Sequence, residues 1–126
     1  MTAKPPVHYV DNKLLFKVLT EFLESVKEYE KKPVGDPPET PEYIGECLLQ
    51  IARRLSNKAN FASYTFKDDM ISDAVENCLM YMHNFDPKKS KNPFAYFTQI
   101  IHFAFLRRIQ REQRHVYTKY KYALRQ

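Results

Sequence analysis

The chain has 126 residues, of which 44% are hydrophobic, 28% charged and only two are glycine. That is enough chain for one domain with a modest core, and the composition suits helices and fits turn-rich β architectures badly. The net charge of +5 favours anionic partners. No run is long enough to span a membrane, and the opening MTAKPPVHYVDNK lacks the apolar stretch of a signal peptide. A cytoplasmic location is expected.

Residues 1–10, with Pro5 and Pro6, read as an irregular lead-in. Asp11 or Asn12 then caps a helix running to about Lys32. Leu15, Val18, Leu19, Phe22, Leu23, Val26 and Tyr29 form its apolar stripe, and Lys13, Lys17, Glu21, Glu24 and Glu28 lie off it. PVGDPPETP, residues 33–41, holds four prolines and a glycine and must be a stiff loop. Thr40 is expected to cap the second helix, with Pro41 at its first position and Glu42 in its first turn. Ile44, Cys47, Leu48, Ile51, Ala52 and Leu55 form its stripe, and Arg53, Arg54 and Lys58 close it. Residues 60–66 break the period but keep Phe61, Tyr64 and Phe66, so this loop should tuck against the core.

The third helix is expected from Thr65 or Phe66 to about Asn84, with Met70, Ile71, Ala74, Val75, Cys78, Leu79 and Met82 in its apolar register. Cys47 and Cys78 both fall in apolar registers, which predicts buried free thiols in a reducing compartment. Asp69, Asp73 and Glu76 share a face at spacings of four and three. Helix-dipole capping accounts for Asp68 and Asp69 but fades by Asp73 and Glu76, so this face calls for a basic partner. A polar turn around FDPKKSK follows.

The stretch that organises the chain is NPFAYFTQIIHFAFLRRIQREQR, residues 92–114. Asn92 is a good N-cap and Pro93 fits the first helical position. Phe94, Phe97, Ile101, Ala104 and Phe105 form one face. The opposite face carries Tyr96, Gln99, Phe103, Leu106, Arg107, Gln110 and Arg114. Such a face is either buried by another element or offered to a partner with π surfaces and negative charge. Single-stranded nucleic acid is such a partner, since bases stack on aromatics while arginines meet phosphates. From Phe94 onward seven basic residues (Arg107, Arg108, Arg111, Arg114, Lys119, Lys121, Arg125) face Glu112 alone, so this third carries +6 and residues 1–93 carry −1.

The segment 69–108 resembles region 2 of the sigma-70 family of bacterial RNA polymerase initiation factors. DDMISDAVENCLMYMHNFDP is similar to the family's acidic helix and F-D-P turn, with Asp69, Ile71, Asp73, Leu79, Phe85, Asp86 and Pro87 in place. A short basic loop follows, and then AYFTQIIHFAFLRRI is similar to the family's promoter-melting helix, with Tyr96, Thr98, Ile101 and Ala104 in place. The short late-gene sigma factors of large tailed phages share more: NPxAYxTQ, a basic RIxxE continuation at residues 108–112, NFxxYT at residues 60–65 and an NxLL opening at residues 12–15.

The resemblance implies an all-α fold, a compact domain of about four main helices covering residues 1–126. It would comprise a region 2-like core over 42–114, an N-terminal helix over 11–32 and a basic extension over 115–126. It further implies that Asp69, Ser72, Asp73, Glu76 and Leu79 dock on the coiled coil of the polymerase β′ subunit. Tyr96, Thr98, Gln99, Ile100 and Phe103 would hold the melted non-template strand of a −10 promoter element, Tyr96 stacking on a flipped adenine. Arg107, Arg108, Arg111 and Arg114 would meet phosphates. Gln99 and Ile100 stand where the family has a tryptophan pair, and Ser72 where it has glutamine. No stretch resembles the module that reads the −35 element or the tail by which phage late sigmas reach the sliding clamp. A coactivator or clamp contact is therefore expected of another protein or of a longer chain.

Two other classes compete with a promoter-recognition subunit. An adaptor would bind polymerase through the acidic helix without touching DNA, and would bury or lose the Tyr96/Phe103 face. A metal-dependent nuclease would use Asp69, Asp73 and Glu76, but these lack a histidine or lysine in register. His8, His83, His102 and His115 share no ligand spacing, and there is no C-x-x-C and no glycine-rich phosphate loop. No cofactor, metal or catalytic residue is called for.

Overall fold

Side-chain caps start the two longest helices of the computed structural model, which describes residues 9–124. The Asp11 carboxylate accepts from the backbone N–H groups of Lys13 and Leu14, both at 3.1 Å, and opens α1 (Asn12–Lys31). The Asn92 side-chain oxygen accepts from the Ala95 N–H at 3.0 Å and opens α4 (Pro93–Leu124). These two helix starts are clasped together. The Asn12 amide donates to the Asn92 side-chain oxygen at 2.9 Å, and the Asn12 oxygen accepts from the Phe94 N–H at 3.0 Å. A residue 82 positions away thus caps one of the orphan donors of α4.

Between them lie α2 (Glu42–Ser56) and α3 (Lys67–Tyr81), and α3 passes into a single 3₁₀ turn, Met82–Asn84. Among the described residues all regular structure is helical. Thr40 does not cap α2. Pro41 itself precedes the first turn in an extended conformation (φ −58°, ψ 138°), and no side chain bonds the first amides. The proline-rich loop turns at Gly35, whose φ of +80° is open to glycine and strained for other residues. The basic segment expected as an extension after residue 114 is helix as far as Leu124. No glycine or proline follows Pro93, so nothing in the chain stops propagation. The lead-in before Tyr9, with His8, and Arg125 lie outside the described residues.

α4 packs chiefly against α3, then α2 and α1. Phe97, Ile101 and Phe105 of α4 are wholly buried among Leu15, Leu19, Ile44, Leu48, Met70 and Cys78. The α2–α3 loop does tuck in through Phe61, edge-on to Phe105 at 5.2 Å and to His102 at 5.7 Å. Phe66, expected to join it, is exposed. Most of the apolar stripes of the first three helices is buried as expected, but Val18, Val26, Tyr29 and Val75 are only partly covered and Leu79 reaches the surface. Among the described residues no helix is long and apolar enough to cross a membrane.

Cys47 and Cys78 are buried free thiols. Burial pushes Cys78 up to about 12 from a usual 9.0. The folded chain therefore keeps this proton where the unfolded chain loses it. Stability present below pH 9 should fall as pH climbs toward 12. Cys78→Ala should flatten this alkaline loss in a melt-versus-pH series, and iodoacetamide should label neither thiol until the chain unfolds.

Candidate functional site

α3 turns one face to α4 and the opposite face to solvent. Asp69, Ser72, Glu76 and Leu79 are all exposed on the outer face, within an arc of about 80° at about 100° per residue. Met80, not singled out from the sequence, joins them at 61% exposure. The result is an acidic patch with an apolar edge. Asp73, expected on the same face, lies at its margin and turns toward α4.

The partner of Asp73 is Arg108. The Arg108 guanidinium donates to the Asp73 carboxylate and to the Tyr64 hydroxyl, the latter at 3.2 Å. It also lies 3.3 Å from the Glu112 carboxylate and 3.9 Å from that of Asp69. Its side chain is only 22% exposed. The hydrogen bond to Tyr64 and then that to Asp73 push the guanidinium pKa up, so its charge is held even more firmly than usual. Arg108, expected at phosphate, is thus bound within the chain, and part of the basic partner the acidic face required is α4 itself. The helical period explains this: Arg108 continues the buried line of Phe97, Ile101 and Phe105 by one more turn, where α3 offers a carboxylate rather than a methyl group. The other expected acids and bases do not share this node. Arg107, Arg111 and Arg114 are exposed.

The surface of α4 beside α3 holds a shallow groove of about 290 Å³ lined by Tyr81, Tyr96, Gln99, Ile100, Phe103 and Arg107. Tyr96 is half-buried. Its ring stacks on Phe85 (5.2 Å, 21° between planes) and on Phe97 (5.4 Å, 24°), and its hydroxyl donates to the Tyr81 carbonyl at 2.7 Å. Burial, followed by the nearby Cys78, pushes the Tyr96 phenol up. Tyr96 is therefore part wall and part platform. Phe103 is 48% exposed, and among the described residues only His102 is a ring neighbour, edge-on at 5.8 Å. It offers the freest aromatic surface in the groove. Tyr81, at the last position of α3, was missed because its chain neighbourhood marks only a helix end.

From this groove a line of cations runs up α4. Arg107, Arg111 and Arg114 follow Tyr96, Ile100 and Phe103 within an arc of about 80°. Arg107 leans toward the Asn77 side-chain oxygen at 3.4 Å and is otherwise free to solvent. Thr98 does not belong to the line. It lies about 160° or more from Tyr96 and Ile100, and its hydroxyl donates back to the Phe94 carbonyl at 2.7 Å. Two surfaces thus stand side by side: an acidic–apolar face on α3, and an aromatic groove leading into a basic stripe on α4.

No protein-family model matches this sequence, and no curated protein matches it. Among the described residues no group of three or more His, Cys, Asp or Glu side chains is placed to hold a metal ion.

Proposed function

We propose that the chain is a sigma-type promoter-recognition subunit with no catalytic role of its own. The outer face of α3 (Asp69, Ser72, Glu76, Leu79, with Met80) docks on the β′ coiled coil of a bacterial core RNA polymerase. The α4 groove takes bases of the melted non-template strand at a −10-type element. Phe103 and the open edge of Tyr96 stack on bases, Gln99 reaches their polar edges, and Arg107, Arg111 and Arg114 follow the phosphates. The single observation that carries this reading is the half-exposed Phe103 beside Arg107. An adaptor that never met DNA would have no use for an uncovered aromatic groove aimed along a cationic stripe.

The polymerase contact is tested by co-purification with core enzyme. Asp69→Lys with Glu76→Lys should weaken retention roughly tenfold, because two exposed charges change sign at once and each is worth little alone. Asp73 is left untouched so that its pair with Arg108 survives. Unchanged retention would remove α3 as the docking face.

The nucleic-acid contact is tested by salt. With Arg108 engaged internally, three cations remain on the stripe. Binding of the free chain to single-stranded DNA should therefore fall with log salt at a slope of about −2, from about −0.7 per neutralised phosphate. Arg111→Ala should remove about 0.7 from that slope. A slope near zero would mean that the stripe is not a phosphate track.

A further inference from the structure

The distal half of α4 has a second surface that the stripe does not use. Val116, Tyr117, Tyr120 and Leu124 are exposed at 65%, 60%, 64% and 68%. Val116 and Tyr120 line up with Ile109 on one side of the helix, roughly opposite Arg107 and Arg111, and Tyr117 and Leu124 lie at its edge toward Arg114, by the period of about 100° per residue. Tyr64 of the α2–α3 loop, Ile109, Glu112, Val116, Tyr117 and Tyr120 line an open, mainly apolar groove of about 610 Å³. Isolated apolar residues on a surface are ordinary, but a contiguous run along three turns of helix is an interaction surface.

We propose that this groove docks an acidic amphipathic helix of another protein, its apolar stripe laid against Ile109, Val116 and Tyr120. Charge on the page selects that occupant. Arg114, Lys119 and Lys121 flank the groove, and the one acid on α4, Glu112, which lines it, is paired with Arg108. A second copy docked groove to groove would bring the same cations against them and be repelled. Nucleic acid has the Tyr96–Phe103 groove and the stripe of Arg107, Arg111 and Arg114 to follow on the other side of the helix, whereas Ile109 and Val116 make part of this floor aliphatic. Helix-in-groove recognition needs an apolar floor for anchors at i, i+3, i+4 and i+7 and a rim of opposite charge, and both are present. The inference does not depend on the promoter reading, since it needs only the exposed groove and its flanking charge.

The test uses the full chain and a synthetic amphipathic peptide of about 18 residues, with Leu at the helical anchor positions and Glu elsewhere. A shuffled peptide of the same composition and a Lys-for-Glu version are the controls. The acidic helix should shift the backbone NMR resonances of Ile109, Val116 and Tyr120. The exposed-site double variant Val116→Glu, Tyr120→Glu should weaken its binding at least about tenfold with an unchanged thermal melt. Four results would each overturn the proposal: equal binding by the shuffled peptide; shifts confined to Arg107 and Arg111; displacement of the peptide from Val116 and Tyr120 by a single-stranded oligonucleotide; or a dimer of this chain that Val116→Glu dissolves.

Discussion

Phe103→Ala should leave the fold intact and slow promoter opening by roughly 5- to 150-fold, the equivalent of about 1–3 kcal/mol of base stacking. The fold should survive because the ring is half exposed and meets only His102 among aromatic neighbours. Surface substitutions of this kind stay within about 0.5 kcal/mol. Tyr96→Ala is the less clean experiment. That change removes two stacked ring contacts and the bond to the Tyr81 carbonyl, so lost opening would be mixed with lost packing. Tyr96→Phe separates the two, keeping the stack while giving up about 0.5–1.5 kcal/mol of hydrogen bond. Circular dichroism melts with permanganate reactivity of the promoter thymines would read both quantities.

Arg108→Met should destabilise the chain by roughly 2–3 kcal/mol, a fall in Tm of roughly 10 °C for a domain of this size. The methionine fills the space of the aliphatic stem but leaves the Asp73 carboxylate at the α3–α4 interface without its cation. Solvent screens part of the loss, since the Asp73 side chain is 38% exposed. Arg111→Met, one turn further out in solvent, should change stability by less than about 0.5 kcal/mol. If the two variants melted together, Arg108 would be a surface cation like its neighbours, and a fourth phosphate contact would be restored to the stripe.

The sequence carried the helices because their stripes are regular and their caps local. Asp11 and Asn92 bond amides two or three residues away, and those rules can be applied without knowing the fold. What escaped was set by packing between distant segments. Asn12 was read only as a possible cap of its own helix, because its bond to the Phe94 amide joins two helix starts that no local pattern links. The resemblance groups Arg108 with the phosphate-binding arginines, and charge alone does not separate it from them. The signal against that was present in the period, which sets Arg108 on the buried side of α4, but a buried arginine is credible only once Asp73 and Tyr64 are known to stand opposite. Thr40 failed as a cap because Pro41 enters α2 extended, leaving the threonine outside the first turn. The helix beyond residue 114 was legible in principle, from the absence of glycine and proline. The apolar residues that recur there, Val116, Tyr117, Tyr120 and Leu124, stay exposed, so the core gives this part of the helix no support.

On the proposed function, the α4 groove and stripe open promoter DNA while α3 holds the chain on polymerase. Run-off transcription by bacterial core polymerase tests it most directly, with and without the chain, on an AT-rich −10-type template in duplex form and in a form already mismatched across that element. Run-off product should form only when the chain is present, should be lost on duplex template with Phe103→Ala, and should return on the mismatched template, where no unpairing remains to be offset by stacking. Equal product with and without the wild-type chain, or full duplex activity from Phe103→Ala, would contradict it.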